Sequence, residues 1–229
     1  MMHKRIRVWD LPTRVFHWLL ATAVIGAIVT GQAGGNLMAW HGRIGILIVG
    51  LLVFRLAWGL VGSTYSRFAQ FLPTPARIRA YLHGEHRAEG HNPLGALSVF
   101  ALLGLLAAQT MTGLVANDDI AFFGPLYELV DRTWSNRLTG LHHVLSKGLM
   151  FLAALHIAAI LFYALRLKQN LVRPMITGWK DDGRGESGTG GGMASLAVAL
   201  AIAAVAAYGA SGAWMPAPPP PPAGETPAW

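Results

Sequence analysis

The chain has 229 residues, of which 53% are hydrophobic and only 13% charged, and its formal net charge is +7. Soluble domains average about 25% charged residues, so this composition, with a mean hydropathy of +0.43, excludes an ordinary soluble domain and points to an integral membrane protein. The absence of cysteine excludes disulfides, thiolate-bound iron–sulfur clusters, cysteine zinc sites and c-type haem attachment.

Five apolar stretches follow in order, at about 15–31, 41–62, 93–116, 141–166 and 193–213. Each is close to or above the ~17–25 residues a spanning helix needs. Pro12, with Asp10 or Thr13 at a cap position, suits a helix start, and Asn92-Pro93 opens the third stretch in the same way. A basic start, an apolar run and Gly31-Gln32-Ala33 resemble a signal peptide. Trp9, Asp10, Pro12 and Trp18 argue instead for a retained first helix.

The basic residues are segregated. Lys4, Arg5, Arg7 and Arg14 precede or open the first stretch. Arg55, Arg67, Arg77, Arg79 and Arg87 lie at the end of the second and before the third, and Arg166, Lys168, Arg173, Lys180 and Arg184 follow the fourth. These account for most of the 18 Lys and Arg residues. The positive-inside rule therefore places the N-terminus in the cytoplasm, with the second and fourth helices starting outside. The excess of positive charge reflects this topology rather than nucleic-acid binding.

The outer connection, 117–140, is acidic and aromatic (Asp118, Asp119, Phe122, Phe123, Tyr127, Glu128, Asp131, Trp134) and reads as a lid. Residues 181–192 contain the Gly-rich run GRGESGTGGG, which reads as a flexible linker. The Ala-rich stretch 193–214 is a candidate fifth span, and 215–229 is a Pro-rich, polyproline-like tail. Residues 1–180 form the main membrane domain.

Nine histidines are present. His3, His83 and His86 read as solvated. Ionisable groups within apolar spans are costly and usually functional, which singles out His17, His41, His142 and His156. In a helix, the fourteen steps from His142 to His156 leave them ~40° apart around the axis and ~21 Å apart along it, whereas His143 points elsewhere. The topology then makes two level pairs, His41 with His142 outside and His17 with His156 inside. Two facing imidazoles suit bis-histidine haem iron. Gly45, one turn after His41, leaves room for a flat macrocycle. Arg43 and Arg55 are candidates to receive haem propionates, the alternative being interfacial snorkelling. His91 is the reserve ligand should the inner levels not match. Zinc and copper fit poorly, because two histidines per site come without a nearby Asp, Glu or Cys, and a proton pump lacks its carboxylate chain.

The motifs RVWDLPTRVFHWLL, HGRIG, FRLAWGLVGSTYSRF, GHNPLGAL and LHHVL…LH, in this order, resemble the bacterial cytochrome b561 family across about residues 7–180. That family includes the b-type cytochrome subunits of nickel–iron hydrogenases and cytochrome b partners of periplasmic c-type cytochromes. The resemblance implies an all-α membrane protein with a four-helix transmembrane bundle binding two b haems, here with a fifth C-terminal span. It implies haem-iron ligand roles for His17, His41, His142 and His156. It also implies a place in the bacterial inner membrane, where the chain would pass electrons between quinone and a periplasmic partner, a c-type cytochrome or a hydrogenase. On this reading the chain is an electron-transfer subunit of a respiratory oxidoreductase rather than a stand-alone enzyme. Two other readings stand beside it. One is a superoxide:quinone oxidoreductase acting alone, guided by Arg43, Arg132, Arg137 and Lys147. The other is a haem-free membrane scaffold or transporter.

Overall fold

The computed structural model describes residues 5–85, 89–181 and 185–216. His3, Lys4, His86, Arg87, Arg184 and all but the first two residues of the Pro-rich tail lie outside that range. Among the described residues eight α-helices follow one another: α1 Leu11–Ala33, α2 Met38–Val61, α3 Phe68–Phe71, α4 Pro75–Leu82, α5 Pro93–Gly113, α6 Arg132–Leu165, α7 Val172–Thr177 and α8 Met193–Ala210. Five of them (α1, α2 with the short turn before it, α5, α6 and α8) are long and apolar enough to cross a membrane. The protein is an all-α membrane protein.

Helix boundaries follow local chemistry. Asp10 caps α1 by accepting the Thr13 N–H at 2.7 Å, with Pro12 in the first turn. This start is four residues earlier than the apolar stretch alone indicates, and α1 runs unbroken through Gly31-Gln32-Ala33. Asn92 caps α5 through the Gly95 N–H, also with Pro in the first turn. Asp131 caps α6 through the Trp134 N–H at 3.0 Å. Helix α6 therefore starts within the segment expected to be lid, because no breaker interrupts the polar residues between the Asp131 cap and the apolar run. The lid itself is a folded turn over 117–131. Asp118 there accepts the N–H groups of Ile120, Ala121 and Phe122, and these hold its carboxyl below the ordinary carboxylate range.

Helix α2 is central and packs against α1, α5 and α8, while α5 pairs with α6. Two apolar clusters fill the bundle. One joins Ala23, Ile48, Leu52, Leu106 and Leu149 from α1, α2, α5 and α6. The other joins Phe16, Phe54 and Trp58 to Ala199 and Ala203 of α8. Small side chains let α8 approach closely: a Cβ on Gly50 would sit 3.4 Å from that of Ala207.

The bundle has a near end, which carries the N-terminus, and a far end. At the near end a two-residue strand β1, Ile6–Arg7, pairs antiparallel with β2, Trp179–Lys180. Asp10 also accepts bonds there from Trp58 Nε1 at 3.1 Å and from the Ser63 hydroxyl. Burial alone would raise its carboxyl, but these bonds and those of Thr13 outweigh it and leave it below the usual value. The Gly-rich segment, whose composition suggests flexibility, is bonded over its described part. Gly188 N–H donates to Arg7 O, Thr64 N–H to Thr189 O, and Tyr65 OH to Glu186 O. Its glycines let the chain lie flat on the near end. Gly191 has φ +67, and a Cβ there would meet the Trp58 ring at 2.9 Å. Exposed Trp40, Trp134 and Trp214 mark the far end, as aromatic belts do at membrane surfaces.

Candidate functional site

At the far end α2 and α6 bring His41 and His142 together, ring centroids 6.0 Å apart and planes at 85°. Each ring is tied at Nδ1 to a backbone carbonyl, His41 to Ala27 O and His142 to Gln109 O, both at 2.9 Å. Donation from Nδ1 fixes the tautomer that leaves Nε2 with its lone pair, the form a metal ligand needs. His142 Nε2 lies 3.0 Å from Gln109 Nε2. Two glycines make the sockets. A Cβ on Gly31 would fall 3.0 Å from the His41 ring, and one on Gly113 would fall 2.8 Å from His142 Cε1.

These histidines line a cavity of about 160 Å³, partly open to the outside, among α1, α2, α5 and α6. Its walls include Ile48, Leu106 and Leu149, and Phe122 of the lid covers one side against Gly42. Gly45 lines it, with nothing within 4 Å of its Cβ direction. His143 is exposed on the rim.

At the near end His17 and His156 lie within electrostatic reach of each other. His17 Nδ1 is buried without a partner, and His156 Nδ1 is 3.4 Å from Ser98 Oγ. His91, just before α5, lies between Trp9 and Phe71, at centroid distances of 4.6 and 4.4 Å with the rings tilted by 58° and 40°. Burial, reinforced by the charge of Arg55, pushes its imidazole down to about 3, so it is neutral at physiological pH. Among the described residues, no three His, Asp or Glu side chains gather closely enough to hold one metal ion.

The two arginines differ. Arg43 is exposed and lies over the Trp40 ring at 5.0 Å, away from the cavity lining. Arg55 is 3% exposed, lies 4.5 Å over the Phe68 ring, and its Nη1 has no partner. Phe68 reaches this position because Gly59 of α2 has no side chain: a Cβ there would collide with its ring.

Sequence reading missed Gly31, Gly113, Gln109, Thr112, Ser98 and the Phe68–Phe71 platform. The run Gln109-Thr110-Met111-Thr112, polar inside an apolar span, was the available signal.

Apolar spanning helices with imidazoles held at two depths are the framework of an all-α membrane electron-transfer protein. The model of the prokaryotic cytochrome b561 family matches residues 8–178, and the chain belongs to that family. It is a membrane b-type cytochrome that carries electrons and uses haem b. A protein of Rhodobacter capsulatus described as a probable Ni/Fe-hydrogenase B-type cytochrome subunit is 25% identical over 219 residues, covering 77% of this chain and 83% of that one. One of the same description from Azotobacter vinelandii is 24% identical, covering 77% and 90%. The probable Ni/Fe-hydrogenase 1 B-type cytochrome subunit of Escherichia coli (strain K12) is 24% identical over 156 residues, covering 54% and 66%. No solved structure matches.

The residues present fit haem. The far-end cavity is apolar, open at Gly45 and edged by two imidazoles of fixed tautomer, and the near end holds buried donors with no acceptor.

Proposed function

We propose that the chain binds two b haems, one held by His41 and His142 and one by His17 and His156, and passes electrons between quinone and a partner protein. The observation that carries this reading is the His41–His142 pair at 6.0 Å, each Nδ1 anchored to a carbonyl beside an apolar cavity that opens at Gly45. When bound, haem b supplies one-electron exchange at its iron. The protein orients the imidazoles from helix backbones, excludes water with Ile48, Leu106, Leu149 and the Phe122 lid, and spaces the His142 and His156 levels by ~21 Å of helix rise.

The clustering of basic residues at the near end supports a cytoplasmic N-terminus in a bacterial inner membrane. The far end, with its folded lid, then faces the periplasm. The relatives described as hydrogenase cytochrome subunits favour a hydrogenase as the electron partner, with a c-type cytochrome as the other candidate. Residues 1–180 are the haem-binding unit, and α8 is a fifth span that buttresses α2. The superoxide-oxidising reading gains less support: Arg132 pairs with Asp119, Arg137 lies over Trp134 and Arg43 lies over Trp40. None of the three lines the cavity.

The test is haem content per chain by pyridine haemochrome, with each of the four histidines replaced in turn. Two haems in the parent and one in each variant is the expected result. A parent without b haem, when folded and supplied with haem, would leave the scaffold reading standing.

A further inference from the structure

The near end holds two polar groups that the pairing of His17 with His156 does not use. Arg55 Nη1 and His91 Nδ1 are both buried, and neither has a hydrogen-bond partner. They lie on one aromatic platform. Arg55 sits 4.5 Å over the Phe68 ring and 6.0 Å over that of Phe71, and the His91 ring is 4.4 Å from Phe71. The two rings of the platform are themselves 5.9 Å apart.

A guanidinium can only donate, and a neutral imidazole donates from one nitrogen. Leaving a buried donor unpaired costs about 1–3 kcal/mol, more when it is charged. Two such donors side by side therefore call for an acceptor, and next to a cation the fitting acceptor is an anion with two oxygens. Both groups lie within electrostatic reach of each other, and His91 also of His17 and His156. His91 is nevertheless not gathered with those two into one ligand cluster.

We propose that His91 and Arg55 together hold one carboxylate, the propionate arm of the near-end haem, with His91 as a positioning residue and not an iron ligand. This rests on the two-haem reading above. Trp9 and Phe71 fix the imidazole plane, and Phe68 fixes the guanidinium, so both donors are oriented before the carboxylate arrives. At the far end, by contrast, Arg43 is exposed over Trp40.

The test crosses a protein change with a cofactor change. Full-length protein carrying His142→Ala, so that the near end alone takes haem, is made under haem limitation and titrated with haem b or with its dimethyl ester, whose arms bear no charge. His91→Phe keeps an aromatic ring between Trp9 and Phe71 and removes the donor. His91→Asn returns a donor near Nδ1. The expected result is roughly tenfold tighter binding of the free acid than of the ester, a preference that His91→Phe erodes and His91→Asn restores. The low-spin spectrum should stay unchanged in both variants. Equal weakening for acid and ester, or no weakening, would overturn the proposal. So would loss of the low-spin spectrum in His91→Phe, which would make His91 an iron ligand. A parent protein that takes up neither form would instead sink the two-haem reading along with it.

Discussion

Gly113 of α5 stands against His142 of α6 so closely that a single added methyl would fall 2.8 Å from Cε1 of the imidazole. The space that orients the histidine is thus supplied by another helix. That same helix accepts its Nδ1–H, at Gln109 O. Gly113→Ala should displace the ring, break that bond and weaken far-end haem binding by about 10–100-fold, the usual cost of disturbing a ligand's support. Gly104→Ala, where nothing lies within 4 Å, should leave haem affinity unchanged. Haem titration of the two variants makes the comparison.

His142 and His143 are neighbours with different surroundings. His142 is clasped by Gln109 and Thr112, and His143 is exposed on the rim. His142→Ala should remove the far-end haem, and His143→Ala should retain both. Equal losses in the haem-to-protein ratio would contradict this.

Arg55 is buried on Phe68, whereas Arg43 is exposed on Trp40. Arg55→Leu should lower the potential of the near-end haem, because loss of a buried positive charge favours the oxidised, more positive iron. Arg43→Leu should leave both potentials nearly unmoved. Redox titration followed in the visible spectrum distinguishes them. A larger shift for Arg43→Leu would be the opposite of what this burial implies.

The Asp10 carboxyl is held below its ordinary value by Ser63, Thr13 and Trp58 against the effect of burial. A carboxyl with a lowered folded value contributes stability above its unfolded value, ~3.9, and loses it as the pH falls through the folded value. The detergent-solubilised protein should therefore lose thermal stability below about pH 4. Asp10→Asn should be less stable at neutral pH and flatter across that acid window. Melting temperatures at a series of pH values provide the check.

Gly191 combines φ +67 with contact on Trp58, and a Cβ would also meet Ser63 N at 2.8 Å. Gly191→Ala should destabilise the chain by about 1–3 kcal/mol by lifting the strap from the near end. Gly209→Ala, in open space within α8, should be neutral or stabilising by up to ~1 kcal/mol. Thermal unfolding in detergent reads both.

Much of this architecture is legible in particular residues. Asp10-Leu-Pro and Asn92-Pro mark helix starts because a side-chain acceptor and a fixed φ act locally. His142 and His156 share a face because helix geometry is regular over fourteen residues. The start of α6 was less legible, since its first turns are polar and hydropathy does not register them. The ordered Gly-rich strap was hidden for a related reason. Glycine signals freedom in the sequence, yet here its missing side chain permits close contact with Trp58, Tyr65 and Arg7.

The sequence by itself determined that five apolar helices are present and where α1 and α5 are capped, because hydropathy and capping are local properties. Only the tertiary structure decided which carbonyl takes each Nδ1–H and which glycine makes room for each ring. It also decided that Arg55 is buried while Arg43 is not, and that His91 joins the near end. Those outcomes depend on which helices meet and at what rotation, and that is fixed by packing between segments far apart in the chain.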